Sequence, residues 1–255
     1  MSGPAARFRS ALRGAWGEHG AWAVLLVSFG AGLILAWPAG LDHWLLLPSL
    51  SLLTAAKGMT QRARRTGRGW LGPSVAAILG ALLSLPAVAR APVPYAVLAL
   101  LAAPFLATYF SRADSPAWTR SLPVELYGTA LLASSAGLGL LGPGRPGPRA
   151  ALLAWVLVGS LFLPGVLRAR LPKRPVPLLR ASALGLAAGG VAVVLLFVTE
   201  GLIAPWGSLA AVSFLEDAFG ALSIPRWTTK RLGVTLTVKS SAAALLLALA
   251  WRLRP

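Results

Sequence analysis

The stretch Glu18-His19-Gly20-Ala21-Trp22 opens the first long apolar run of the chain, and this run decides the class of fold. A short basic tail precedes it, and the run that follows approaches the length of about 20 residues that a helix needs to cross the hydrocarbon core of a membrane. The run is longer than the core of a secretory signal peptide, and no convincing small-residue cleavage site closes it. The stretch therefore predicts a retained first membrane span.

Composition extends this prediction to the whole chain. Of the 255 residues, 56% are hydrophobic and only 12% are charged, with a mean hydropathy of +0.72. A soluble domain has about 25% charged residues. Because apolar runs recur throughout, we expect an all-α polytopic transmembrane helical bundle. Residues 1–255 would form one membrane domain that begins with a basic cytoplasmic tail at residues 1–17.

About nine apolar segments, separated by turns and basic loops, define the predicted spans. Their approximate bounds are 21–37, 41–56, 70–89, 95–110, 122–141, 151–167, 181–198, 202–222 and 232–249. An odd number of spans places the two ends of the chain on opposite sides of the membrane.

The basic residues indicate which side is which. The net charge is +17, and 18 of the 24 basic residues fall in the tail and the even-numbered loops, against five in the odd-numbered loops and the C-terminus. Cytoplasmic loops carry an excess of lysine and arginine, so we expect the N-terminus in the cytoplasm and the C-terminus outside. These loops would attract anionic lipid headgroups. No aromatic-basic platform points to nucleic acid as a partner.

The sequence lacks the motifs of the common catalytic and metal sites. There is no cysteine, no phosphate-binding loop, no nucleophile elbow and no zinc motif, so we predict no catalytic residue, metal or cofactor. Two separated histidines, His19 and His43, do not make a metal site. His43 follows Asp42 in an outer turn and is expected at the membrane interface.

Ionisable residues inside spans are the default functional candidates in a membrane protein. Lys239 lies eight residues beyond Arg231, so about 12 Å deep at 1.5 Å per residue. It anchors an anionic headgroup, pairs with a buried acid, or snorkels along its stem to the interface. Glu216 and Asp217 either form a metal or proton site, or one pairs with Lys239 or an arginine while the other reaches the interface. Adjacent helical residues diverge by about 100°, so we do not expect both acids to face one ligand.

Polar residues also gather at the predicted cytoplasmic ends of the spans. Glu125, favoured near a helix N-terminus, is expected to pair with Lys57, Arg112 or Arg168. We predict a non-catalytic mouth that binds a lipid, quinone or isoprenoid amphiphile. A small permease or proton-coupled carrier that uses Lys239 with Glu216 or Asp217 is the alternative. The candidate ligand-binding residues are Glu18, His19, Lys57, Arg112, Glu125, Lys230 and Lys239.

Several short blocks carry a resemblance to a known family. They are Glu18-His19-Gly20-Ala21-Trp22, Ala56-Lys57-Gly58, Tyr109-Phe110-Ser111-Arg112, Glu125 and Lys230-Arg231-Leu232-Gly233. The chain resembles the YwiC-like family of bacterial membrane proteins. The resemblance implies a multi-pass protein of the bacterial cytoplasmic (inner) membrane and no particular activity.

The nine-span pattern also resembles the UbiA-type prenyltransferases. Those enzymes need two Asp-rich motifs that hold Mg²⁺ and diphosphate. Besides Asp217, the only aspartates in this chain are Asp42 and Asp114, and neither lies in such a motif. If the fold is similar, we expect the magnesium-diphosphate chemistry to be missing.

Overall fold

A computed structural model describes residues 19–67, 69–112, 115, 121–171, 176–223 and 229–254. Within these ranges the chain consists of helices and the turns that join them. The α-helices are α1 (His19–Leu35), α2 (Leu41–Thr66), α3 (Leu71–Arg90), α4 (Pro92–Ser111), α5 (Leu122–Ala133), α6 (Ser135–Leu138), α7 (Pro148–Arg168), α8 (Pro177–Thr199), α9 (Ala211–Ser223) and α10 (Thr229–Arg252). A 3-10 helix at Pro205–Ala210 precedes α9. The predicted tail at residues 1–17 lies outside the described residues.

Five of the described helices are long and apolar enough to cross a membrane. They are Leu71–Arg90, Pro92–Tyr109, Pro148–Arg168, Pro177–Thr199 and Arg231–Arg252. The prediction of an all-α protein with membrane-spanning helices is therefore confirmed. The count of nine spans and the sides on which the termini lie stay predictions.

The other four predicted spans are also helical, but each differs from a simple long apolar helix. Helix α1 is apolar and has 17 residues. Helix α2 has 26 residues, and its second half is strongly basic. The fifth predicted span is interrupted at Ser134, between α5 and α6. The eighth is shared between the 3-10 helix and the 13-residue α9.

The main core lies where α1, α7, α8, α9 and α10 meet. Its most buried members include Ala31, Leu161, Val194, Phe214 and Leu247. Small residues let the helices approach closely. Membrane helices depend on such close packing, because lipid is as apolar as the core and the hydrophobic effect does not drive the helices together. A Cβ at residue 32 of α1 would lie 2.8 Å from the carbonyl oxygen of Ala136 in α6, so glycine is needed there.

Helices α3 and α4 lie at the edge of this core and expose broad apolar faces. Their exposed large side chains include Ile78, Leu82, Leu85, Val93 and Leu100. Contiguous exposed apolar surface of this kind is unusual on a soluble monomer. It is the surface expected of helices that face lipid.

Contacts between helix termini define two ends of the bundle. We call one of them the basic end. Four helices end there (α2, α4, α7 and α9) and four begin (α3, α5, α8 and α10). Arg170 and Glu125 form an ion pair at this end. At the opposite end, Arg90 pairs with Asp42 at 2.8 Å, and Arg252 donates to the carbonyl oxygen of Trp37 at 2.8 Å. Among the described residues, those predicted to carry function lie toward the basic end.

Candidate functional site

Four charged side chains from three helices meet toward the basic end, and we call them the ion network. Its members are Arg168 at the end of α7, Glu216 and Asp217 in α9, and Lys239 in α10. Nη1 of Arg168 lies 2.5 Å from Oε2 of Glu216 and 3.3 Å from Oδ1 of Asp217. Nζ of Lys239 lies 2.6 Å from the same Oε2 and also pairs with Oδ1 of Asp217. Each cation therefore contacts both acids.

Burial differs sharply between the two neighbouring acids. The side chain of Asp217 is 1% exposed, whereas that of Glu216 is 41% exposed. The difference follows from the rotation of about 100° between successive helical residues. Asp217 points into the bundle, while Glu216 stands at its surface and reaches back to the cations.

The network balances two positive charges against two negative charges. Arg168 is 3% exposed and Lys239 is 15% exposed, so both cations have given up most of their contact with solvent. Removing a charge from water costs several kcal/mol per ion, and only close partners offset this. Lys239 gains a further partner because its Nζ donates to the carbonyl oxygen of Ser213 at 3.1 Å.

Gly220 creates the space that Arg168 occupies. A Cβ at this position would collide with Cζ, Nε and Nη2 of the guanidinium group. The glycine therefore lets the guanidinium lie directly against the backbone of α9. The hydrogen bonds from Arg168 to the two acids come from Nη1, whereas Nε has no hydrogen-bond partner among the described residues.

A groove of about 480 Å³ opens beside the ion network. Its walls are largely apolar and belong to α9, and Arg168 and Glu216 contribute its charged part. The lining residues are Arg168, Val212, Leu215, Glu216, Phe219, Gly220 and Ser223. Val212, Leu215 and Phe219 are at least half exposed and recur every three or four residues, so they form one stripe along the helix. The groove thus joins an apolar surface to a buried cation.

The structure confirms the pairing of Lys239 with a buried acid and corrects the expectation for its partners. We expected one acid to pair and the other to reach the interface, but both contact Lys239 and Arg168. Their side chains leave the helix in different directions, yet the two cations lie between them. The angle between adjacent residues therefore did not exclude a shared partner.

Arg168 is the member of this site that sequence reasoning missed. It was assigned to a basic loop, because it directly follows the sixth predicted span, and was considered only as a partner for Glu125. The structure buries it in the last turn of α7. Two signals were available in the sequence. Arg168 stands at the very end of an apolar run, and two acids lie within another predicted span.

Glu125 has a different partner from those expected. Its Oε2 lies 2.8 Å from Nη2 of Arg170 and accepts a hydrogen bond from Nε of the same residue at 3.0 Å. Arg170 lies in the turn that follows α7, two residues beyond Arg168. This pair ties the start of α5 to the end of α7.

Lys57 lies in an aromatic environment at the same end. Its Nζ is 4.6 Å from the centre of the Tyr109 ring, within the range of a cation–π contact. The Tyr109 ring lies next to Phe105, which in turn stacks on Tyr127 of α5. These rings connect the Lys57 side of the basic end with the helix that carries Glu125.

The remaining predicted site residues are described only in part. Arg112 caps the end of α4, with its backbone N–H donating to the carbonyl oxygen of Thr108, and its side chain is exposed. His19 and Lys230 lie in the first turns of α1 and α10, and their side chains are outside the described part of the structure. Glu18 lies outside it altogether. That these residues form one binding mouth stays a prediction.

His43 is buried within the bundle, and its predicted depth at the membrane interface stays a prediction. Only 2% of it is exposed, because its ring packs against Gly139, where a side chain would leave no room. Neither ring nitrogen has a hydrogen-bond partner among the described residues. Nδ1 lies 3.9 Å from Oδ2 of Asp42, at the opposite end from the ion network.

Within the described ranges, no three histidine, aspartate or glutamate side chains come together as metal ligands would. Fold and site together define an all-α protein with membrane-spanning helices and an internal ion network that borders an apolar groove. The family model described as YwiC-like protein matches residues 17–139 of this chain. The resemblance predicted from the sequence is therefore confirmed over that part, which runs from the start of α1 to the end of α6.

The match includes Lys57, Arg112 and Glu125 but ends before the helices that carry the ion network. No curated protein and no solved structure shows a significant match to the chain. The groove and the ion network therefore have to be interpreted from their own geometry.

Proposed function

We propose that the chain is a nine-span protein of the bacterial cytoplasmic membrane, with its N-terminus inside and its C-terminus outside. Each of the nine predicted spans contains helix, and five of these helices are long and apolar enough to span. Within the described ranges, most lysine and arginine residues lie at this basic end. Under the positive-inside rule, that end would face the cytoplasm.

We propose further that the protein binds an amphiphile, such as a lipid, a quinone or an isoprenoid, toward its basic end. The observation that carries this function is the groove, because it places an apolar stripe next to a buried cation. An amphiphile has the same division between an apolar tail and a polar head. The polar groups around it are paired rather than arranged as an acid, base or nucleophile, which favours binding over catalysis.

Retention of a native ligand tests this function. We would purify the protein in mild detergent and measure bound small molecules by native mass spectrometry. We expect the parent to retain an amphiphile, and Lys239→Ala or Arg168→Ala to lose it, because Arg168 lines the groove and Lys239 pairs with Glu216 beside it. Arg254→Ala is the control, because Arg254 is exposed at the opposite end, where it donates to the carbonyl oxygen of Leu202. An empty parent, or equal retention in all four proteins, would overturn the proposal.

A proton-coupled carrier is the second candidate, and one observation favours it. Lys239 lies in a helix long enough to cross the membrane and shares both of its acids with Arg168. Ionisable groups that pair with one another inside membrane spans often mark ion pathways and proton relays. In liposomes this function predicts proton-driven uptake that Lys239→Ala abolishes and Arg254→Ala leaves intact. Uptake that survives Lys239→Ala would exclude this role for the network.

A further inference from the structure

We propose that the groove binds an anionic amphiphile whose headgroup displaces the Glu216 carboxylate from Arg168 and Lys239, in competition for the positive charge of the ion network. This inference rests on the proposed amphiphile binding and names the class of ligand and the residue that regulates it. Its starting point is that the more exposed of the two acids lines the groove and holds both cations.

The reachable part of the guanidinium group is the part that Glu216 occupies. Nη1 of Arg168 faces the two acids. Nε is buried and without a hydrogen-bond partner among the described residues, and Nε and Nη2 lie against Gly220, so this edge is closed to a headgroup. Carboxylate and phosphate groups accept charge-assisted hydrogen bonds from guanidinium and ammonium groups. A headgroup that enters the groove would therefore take the place of the Glu216 carboxylate on Arg168 and Lys239.

The headgroup must supply most of the preference for this ligand. Lipid tails are as apolar as Val212, Leu215 and Phe219, so a tail gains little by moving from the bilayer to the groove. Contact with Arg168 is different, because a charge-assisted hydrogen bond in a site of low polarity is stronger than a neutral one. An anionic headgroup is favoured over a neutral one for this reason.

Glu216 is the natural competitor of such a headgroup. It lines the groove, is 41% exposed, and holds both Arg168 and Lys239 through one oxygen. Asp217 is 1% exposed and neutralises part of the same positive charge from inside. With both acids ionised the network is balanced, and an incoming anion meets no excess of positive charge. When Glu216 withdraws, one positive charge is left for the ligand.

The test uses protein in phosphatidylcholine nanodiscs and tetradecyl phosphate as the probe, with bound molecules counted by native mass spectrometry. We expect Glu216→Gln to bind the probe about tenfold more tightly than the parent, since it removes one charged competitor. Glu200→Gln is the matched control, because it removes the same charge at an exposed position of the opposite end and should leave binding unchanged.

Arg168→Lys provides a second variant that keeps the charge but removes the planar guanidinium group. We expect it to weaken probe binding about tenfold. Inorganic phosphate tests the headgroup alone, and tetradecan-1-ol tests the tail alone. Both should bind more weakly than tetradecyl phosphate, because neither combines charge with a tail.

The outcomes separate this inference from the function on which it rests. Equal binding by the parent and Glu216→Gln, or the same gain in Glu200→Gln, would overturn the competition. Tetradecan-1-ol that binds as tightly as the phosphate ester would overturn the anionic headgroup, and inorganic phosphate that does so would overturn the amphiphile. If native amphiphile is retained and lost with Arg168→Ala while Glu216→Gln changes nothing, only this inference fails. If nothing is retained or bound by any variant, both fail.

Discussion

Single residues decide the character of the ion network. Glu216 and Asp217 are chemically similar neighbours, but one is exposed at the groove and the other is enclosed by the bundle. Asp217 is enclosed together with the two cations, whereas solvent reaches Glu216. The same pair thus contains one enclosed acid and one accessible acid.

Gly220 makes this arrangement possible, and its substitution should disturb it. In Gly220→Ala the new Cβ would collide with the guanidinium of Arg168 and push it away from both acids. We expect a loss of about 1–3 kcal/mol in the free energy of unfolding, typical of overpacking. The measurement is thermal unfolding in detergent.

Gly185→Ala is the control for this substitution, because nothing lies within 4 Å of a Cβ at that position in α8. Alanine should be tolerated there or be mildly stabilising, since it is the better helix former. Equal melting temperatures for the two variants would show that Arg168 adapts without cost. The role assigned to Gly220 would then be wrong.

Helices α3 and α9 differ in what their exposed apolar faces do. On α3 the exposed residues spread over most of the helix, as expected of an element that faces lipid and little else. On α9 the exposed apolar stripe borders the groove, while the opposite face carries Phe214 and Asp217 into the bundle. Helix α3 therefore faces the bilayer, whereas α9 lies between the groove and the buried side chain of Asp217.

The lipid-facing role of α3 predicts a strong effect of charge at its middle. Leu82 is 54% exposed, so Leu82→Asp would be harmless if water surrounded the helix. Inside a bilayer an aspartate at the helix centre costs about 3 kcal/mol of insertion free energy. We expect a clear drop in the membrane-inserted fraction, measured by fractionation and protease protection.

Leu253→Asp serves as the comparison, because Leu253 is 63% exposed but lies at the end of the chain just beyond α10. It should insert like the parent. An inserted fraction for Leu82→Asp that equals the one for Leu253→Asp would contradict a lipid-facing α3.

At the scale of the whole molecule, the contacts between helix termini and the charge distribution agree. The termini fall into two ends, and the basic residues concentrate at one of them. The two ends of the bundle therefore differ in charge. The positive-inside rule relates this difference to the two sides of the membrane.

The chain contains no cysteine, so single cysteines can report this orientation directly. We expect Arg64→Cys at the basic end to react with a membrane-impermeant maleimide only after cells are permeabilised. Arg149→Cys and Glu200→Cys, both exposed toward the opposite end, should react in intact cells. Reaction of all three from the same side would contradict the proposed topology.

The limits of sequence-based prediction show in particular residues. Lys239 was predicted to lie inside a span, because its depth follows from counting residues along one helix, while pairing with a buried acid was one of the alternatives left open. Arg168 was assigned to a loop and His43 to an outer turn, yet both are buried. Their burial depends on Gly220 in α9 and on Gly139 in the turn after α6, which leave room for them. No local pattern around Arg168 or His43 contains that information.

The sequence by itself determined the class of this protein: helices of apolar residues, basic loops between them, and a resemblance to the YwiC-like family over residues 17–139. These features are properties of neighbouring residues, so they can be counted along the chain. Only the tertiary structure decided which charges meet and where a groove opens. Arg168, Asp217 and Lys239 are far apart in the sequence, and the packing of α7, α9 and α10 brings them together.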